Sequence, residues 1–313
     1  MAIYKVQSPI LFLIFNRPDT TLRVFEQIRR VKPNRLYIAA DGPRDVKETD
    51  SCEQARDTIK AIDWDCEVKT LFRDKNLGCK EAVSSAITWF FEQEEEGIVL
   101  EDDCLPADDF FRFCDVLLEK YRFDTRIRHI SGCNLQHGQI WGKSSYYFSN
   151  MTHVWGWASW KRVWNDYDKD LNGYQEADVY QQFLKIFSEP LLADAWTQIF
   201  IDLKAGKIDT WDYQLTITNF FNNGLSIIPN VNLISNIGFG AGATHTTSVE
   251  NINANISLAN ISHITHPQYI LPEKQADFYT LNNDFGISEK KKKNSAFKTR
   301  IKHYLREIKR VFS

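Results

Sequence analysis

Up to about residue 135, short apolar runs alternate with stretches whose apolar positions recur every three or four residues. The runs Pro9 to Phe15, Arg35 to Ala40, Val68 to Arg73, Gly97 to Leu100 and Ile127 to Ser131 predict strands. Asp19 to Val31, residues 46 to 61, Cys79 to Gln93 and about Pro106 to Tyr121 predict the helices between them. This alternation predicts an α/β fold, a mostly parallel sheet covered by helices on both faces. Ligands in such sheets bind at the carboxyl ends of the strands. Those ends carry Asn16-Arg17, Asp41-Gly42, Arg73-Asp74 and Glu101-Asp102-Asp103, a polar rim for a single site.

The second half is less regular. Residues 155 to 164 read Trp-Gly-Trp-Ala-Ser-Trp-Lys-Arg-Val-Trp, and Trp157, Trp160 and Trp164 share helical spacing. Two helices broken near Pro190 are expected over 174 to 204. Thr210-Trp211-Asp212-Tyr213-Gln214 opens another, which ends at Asn222-Asn223-Gly224. A strand from Leu225 to Ile228 precedes the glycine-rich loop Gly238 to His245, read as a flap. The stretch from about Ser248 to Asn283 is polar and weakly patterned. Residues 1–135 and 136–288 are expected to be two halves of one domain, the first binding nucleotide and the second binding acceptor, with 289–313 as a tail.

Composition narrows the class. The chain has 313 residues, 43% hydrophobic and 13% aromatic, enough for a sizeable core. Six cysteines show neither CxxC nor zinc-like spacing, which fits reduced thiols in the cytoplasm. No basic region followed by an apolar stretch opens the chain, and no run is long enough to span a bilayer. The net charge is −3, but Glu289 to Ser313 holds ten Lys or Arg against two Glu, leaving about −11 on the rest. Phe297, Ile301, Tyr304, Leu305, Ile308 and Phe312 recur at three- and four-residue steps among those cations. They predict a basic amphipathic helix, suited either to an anionic membrane surface, and so to a peripheral location on the inner face of the membrane, or to docking on the acidic body of the same chain or its neighbour. A nucleic-acid partner is not expected.

The densest chemistry lies at Gly97 to Asp103, where an apolar strand runs into three consecutive carboxylates. Adjacent negative charges repel, and a hard divalent cation, Mn2+ or Mg2+, makes such a cluster favourable while keeping open positions for phosphates. A P-loop, a dinucleotide fingerprint and a G-x-S-x-G elbow are all absent from the sequence. What remains is an acidic strand end, basic residues at neighbouring strand ends, a Trp-Asp pair and a glycine-rich flap. Transfer of a sugar from a nucleoside diphosphate uses such parts. A cation neutralises the departing diphosphate, a carboxylate takes the acceptor proton, an aromatic ring stacks on the sugar, and a flap excludes water.

The run Gly-Ile-Val-Leu-Glu-Asp-Asp-Cys-Leu-Pro-Ala-Asp-Asp-Phe-Phe resembles the metal-binding segment of N-acetylglucosaminyltransferase I and its bacterial GT-A relatives. In order along the chain, Pro9 to Arg17 resembles the opening strand of that family and Ala39 to Gly42 the second. Gly156 to Trp160 resembles the segment over the donor sugar, Trp211-Asp212 the Trp-Asp pair, and Phe239 to His245 the flap. The resemblance covers roughly residues 8 to 245. It implies a GT-A, Rossmann-like fold and inverting, metal-dependent transfer from a nucleoside-diphosphate sugar, with UDP-sugars favoured, to a glycan or lipid-linked acceptor in surface polysaccharide synthesis. By position it implies Asp103 as the metal ligand, Asp102 near the ribose and Glu101 near the donor sugar. Asn16, Arg17 and Asp41 would line the base, and Asp212 would be the general base. Arg73, Trp157, Trp211, Thr244 and His245 complete the expected donor contacts. The family's Trp-Asp-Asp-Trp is here Trp-Asp-Tyr-Gln, which leaves Asp212 as the sole base candidate of that segment. Two alternatives stand beside this reading: a nucleotidyltransferase making sugar nucleotides, and a non-catalytic module that binds glycan or a membrane surface.

Overall fold

The computed structural model describes residues 4–239 and 252–293. In chain order its elements are β1 (Ile10–Ile14), α1 (Pro18–Val31), β2 (Arg35–Ala40), α2 (Thr49–Arg56), β3 (Glu67–Phe72), α3 (Cys79–Gln93), β4 (Glu96–Glu101), β5 (Cys104–Pro106), α4 (Phe110–Tyr121) and β6 (Ile127–Ser131). They continue as β7 (Tyr146–Ser149), β8 (Trp157–Trp160), α5 (Lys161–Trp164), α6 (Glu176–Ile186), α7 (Pro190–Lys204), α8 (Asp212–Phe221), β9 (Leu225–Pro229), β10 (Ile234–Asn236) and α9 (Lys274–Phe285).

Eight strands form one sheet in the order β3-β2-β1-β4-β8-β6-β9-β7. Six run in one direction, while β8 is antiparallel to β4 and β6, and β7 is antiparallel to β9. The result is a mixed α/β fold with a large, mostly parallel central sheet flanked by helices. Strand alternation sorts the core. Ile10, Phe12 and Ile14 of β1 pack with Val24, Phe25 and Ile28 of α1 and with Phe110 to Leu118 of α4. Leu11 and Leu13 point the other way, toward Ala86, Ile87, Phe90 and Phe91 of α3 and toward Trp157, Trp211 and Leu215. A third cluster joins α6, α7, α8 and α9 outside that layer, through Phe183, Trp196, Phe220 and Leu281.

The expected strands β1, β2, β3, β4, β6 and β9 are present, as are the break at Pro190 and the helix opened by Asp212. Three expectations are corrected. Residues 46–61 split into two 3-10 turns around α2. The helix expected from Pro106 starts at Phe110, because Cys104–Pro106 pairs antiparallel with β10. Trp157 to Trp160 is a strand despite its helical spacing: β8 inserts between β4 and β6, with Val99 opposite Trp157, and tertiary pairing overrides the local period. The weakly patterned stretch includes α9, whose Ala276 packs on Tyr147 and Ile228. Because β8 sits beside β4, the two expected halves share one sheet across residue 135. Among the described residues, no helix is long and apolar enough to cross a membrane.

Candidate functional site

From β1 the chain steps to β2 and β3 on one side, then returns to place β4 on the other. This reversal opens a crevice at the carboxyl ends of β1 and β4. A cavity of about 650 Å³ lies there, lined by Arg17, Asp41, Arg73, Glu101, Asp102, Asp103, Trp211 and Asp212. Residues expected from both halves of the chain therefore meet at one place.

The acidic triplet fans out from the end of β4. Leu13 pairs with Glu101, and Asp102 extends that edge by accepting the Phe15 N–H at 3.0 Å. Asp103 turns to Arg17, whose Nη1 lies 2.8 Å from Oδ2. Pro18 at the first position of α1 starts that helix and keeps Arg17 out of the helical region, with φ −120° and ψ 75°. Glu101 stays at the cavity wall. Burial lifts its carboxyl well above the usual carboxylate range, and Asp103, Asp102 and Asp212 add to the repulsion while Arg17 opposes it. Burial, followed by Asp103, pushes Asp102 up to about 7 against Arg17 and the Phe15 N–H.

Among the described residues, no three His, Cys, Asp or Glu side chains converge to cage a metal ion. Asp103 faces the cavity beside Glu101, Asp102, Asp41 and Asp212, and its Oδ1 meets the Cys104 thiol at 3.5 Å. Among the described residues, the triplet's one ion pair is Arg17–Asp103, and the cavity lining holds more acidic than basic side chains. This donor set suits a cation held by Asp103 and by ligand phosphates, and does not suit one held by protein alone.

On the β2 side, the Asp41 carboxylate accepts N–H groups of Gly42 at 2.9 Å and Leu77 at 3.0 Å. Burial raises the Asp41 carboxyl while those N–H groups oppose the shift. Asn76 donates to the Gly42 carbonyl at 2.9 Å, which ties the segment before α3 to the end of β2. A Cβ on Gly42 would come within 2.5 Å of the Lys75 backbone, so only glycine fits there. Arg56 at the end of α2 ties the rim from behind, donating to the carbonyls of Asp41 (3.1 Å) and Arg73 (2.5 Å). The Arg73 side chain donates to Ser85 on α3 at 2.7 Å. Arg44, paired with Glu48, lies 5.3 Å over the Phe15 ring and forms a flat wall of the cavity.

Asp212 enters from the opposite side as the first residue of α8, with the Thr210 hydroxyl donating to its Oδ1. Two residues earlier than Trp211, Asp209 accepts the N–H groups of Cys79 and Lys80, the first turn of α3, at 3.0 Å each. Tyr167 donates to the Trp211 carbonyl at 3.0 Å. Gly238 covers the Arg17–Asp103 pair so closely that a Cβ would lie 2.2 Å from Asp103 Oδ2. Phe239 next to it meets Trp155 edge-on, ring centres 5.7 Å apart.

Two expected residues are elsewhere. Trp157 is 1% exposed and does not face a sugar; it is the middle ring of a stack, 5.2 Å from His129 and 5.8 Å from Trp211. The strand β8 turns that ring into the sheet–α8 layer. Asn16 does not line the cavity, since its amide donates to Glu48 at 2.9 Å. Lys80 pairs with Asp170 at 2.7 Å. Thr244 and His245, with most of the flap, lie outside the described residues. Asp209, Thr210 and Tyr167 were not anticipated. The Asp-Thr-Trp-Asp run carries a signal for the first two: polar side chains just before a helix start often bind nearby backbone or carboxylate groups.

No family model matches the chain, and no curated protein matches it. Solved structures match over about half its length. HddC from Yersinia pseudotuberculosis is 13% identical with a TM-score of 0.33, over 51% of this chain and 80% of that one. UDP-glucose pyrophosphorylase complexed with UDP-glucose is 11% identical with a TM-score of 0.32, over 51% and 78%. 4-Diphosphocytidyl-2C-methyl-D-erythritol synthase from Anaerococcus prevotii is 10% identical with a TM-score of 0.34, over 56% and 84%.

Proposed function

We propose that the chain is a metal-dependent, inverting glycosyltransferase acting on a nucleoside-diphosphate sugar. One observation carries this reading: Asp103 and Asp212, more than a hundred residues apart, face the same cavity together with Arg17 and Arg73. The base would enter beside Asp41, Arg73 and the Phe15–Arg44 wall. Arg17 would release part of its hold on Asp103 and meet the diphosphate. Mn2+ or Mg2+, held by Asp103, would neutralise charge on that leaving group. Asp212 would take the proton of the acceptor hydroxyl as its oxygen bonds the anomeric carbon and the bond to phosphate breaks. A single displacement inverts the anomeric centre, so no enzyme nucleophile is required.

Nucleotidyl transfer is the second reading, since a similar sheet serves it. Against it stands the link from β1 to α1, only Phe15, Asn16 and Arg17, too short for a glycine-rich loop around a triphosphate. Incubating the protein with UDP- and GDP-sugars, and separately with nucleoside triphosphates plus sugar 1-phosphates, tests the two. Release of nucleoside diphosphate in the first arm supports the proposal. Inorganic pyrophosphate in the second arm alone would replace it with the nucleotidyltransferase, and silence in both with tight glycan binding would leave a binding module.

A further inference from the structure

We infer that Thr210 is a positioning residue for Asp212, an assignment that rests on Asp212 being the base proposed above. Thr210 is buried in the link between α7 and α8, and its hydroxyl donates to one oxygen of the Asp212 carboxylate. One hydroxyl proton given to one carboxylate oxygen restricts rotation of that side chain and leaves Oδ2 to receive the acceptor proton. The donor is itself held. Its backbone carbonyl accepts the Gln214 amide at 2.7 Å. The preceding residue grips the N-terminus of α3 through the two Asp209 bonds at 3.0 Å. The following residue receives the Tyr167 hydroxyl at 3.0 Å. Asp209, Thr210 and Trp211 are thus tied to α3, α8 and the loop before α6 respectively, and the base is aimed from three directions.

A local turn with no part in turnover would use the same bond, and kinetics separate the two cases. The full chain is assayed for nucleoside diphosphate release from UDP-glucose, UDP-N-acetylglucosamine, UDP-galactose and GDP-mannose with Mn2+. Thr210→Val, Thr210→Ser and Asp212→Asn are then compared on whichever donor the wild type consumes. Thr210→Val is expected to lower kcat about ten- to a hundredfold, the range for a hydrogen bond to a charged group, with donor KM changed by less than about twofold. Thr210→Ser, which keeps the hydroxyl, is expected to restore kcat to within about threefold of wild type. If Val disturbs the fold, seen as a lost melting transition, comparing Thr210→Ser with Thr210→Ala isolates the same hydroxyl, and equal kcat in those two overturns the inference. An unchanged kcat in Thr210→Val beside an inactive Asp212→Asn overturns this inference and leaves the base assignment standing. Normal turnover in Asp212→Asn, or no release from any donor by the wild type, removes both.

Discussion

At Gly238 the backbone passes so near the Arg17–Asp103 pair that a single methyl group has no room, since it would lie 2.2 Å from Asp103 Oδ2 and 2.7 Å from Arg17 Nη1. Gly238→Ala is therefore expected to move that pair and lower nucleotide affinity about tenfold or more, with the melting temperature little changed, because the disturbed atoms border a cavity rather than the core. Calorimetric titration with UDP and Mn2+ checks it; unaltered affinity would mean the pair is not part of the binding surface. The acidic triplet was legible in the sequence because three adjacent charges after an apolar run have few structural uses. Asp41 was legible as a rim residue for the same positional reason, but not its grip on Leu77 and Gly42, which depends on how a distant turn folds back. Trp157 was misjudged because a ring beside a Gly-Trp motif looks the same in sequence whether it faces a ligand or a partner ring. Only the insertion of β8 decides between them.

Among the elements, β6, β8 and the residue before α8 support the site through the stacked rings of His129, Trp157 and Trp211. Burial depresses the His129 imidazole to about 4, and its Nε2 faces the His153 carbonyl at 2.8 Å. A histidine whose folded pKa lies below its unfolded value contributes stability that is complete above about pH 6.5 and is lost as pH falls toward about 4. Between those limits the loss is about 3 kcal/mol for this group. Asp277, raised to about 6 by burial, acts in the opposite sense, so the comparison must be with a variant. Urea unfolding of wild type and His129→Gln at about pH 7 and about pH 4.5 is expected to show the wild-type advantage shrinking in acid. A constant difference would contradict the buried, neutral imidazole. The parallel strands and their helices were readable because each is a local pattern of five or more residues. In contrast, β7, β10 and α9 were not, being short or polar and stabilised by distant partners such as Pro272 against Phe148.

Over the whole molecule, one sheet carries both the strand ends that would hold the donor and the strand that supports the base. The halves on either side of residue 135 share that sheet, for β8 lies between β4 and β6. The cationic end is a separate feature: Lys290 to Lys293 are exposed where the described chain stops. Removing residues 289–313 is expected to abolish sedimentation with vesicles rich in phosphatidylserine while turnover on a soluble acceptor persists. Undiminished sedimentation would assign membrane binding elsewhere or discard it. The central claim, that Asp103 joins a cation to a nucleoside diphosphate in this cavity, is most directly tested by titrating UDP into wild type and Asp103→Ala with and without Mn2+. The account predicts binding that strengthens markedly with Mn2+ in the wild type and loses that enhancement in Asp103→Ala. Equal enhancement in both proteins would contradict it.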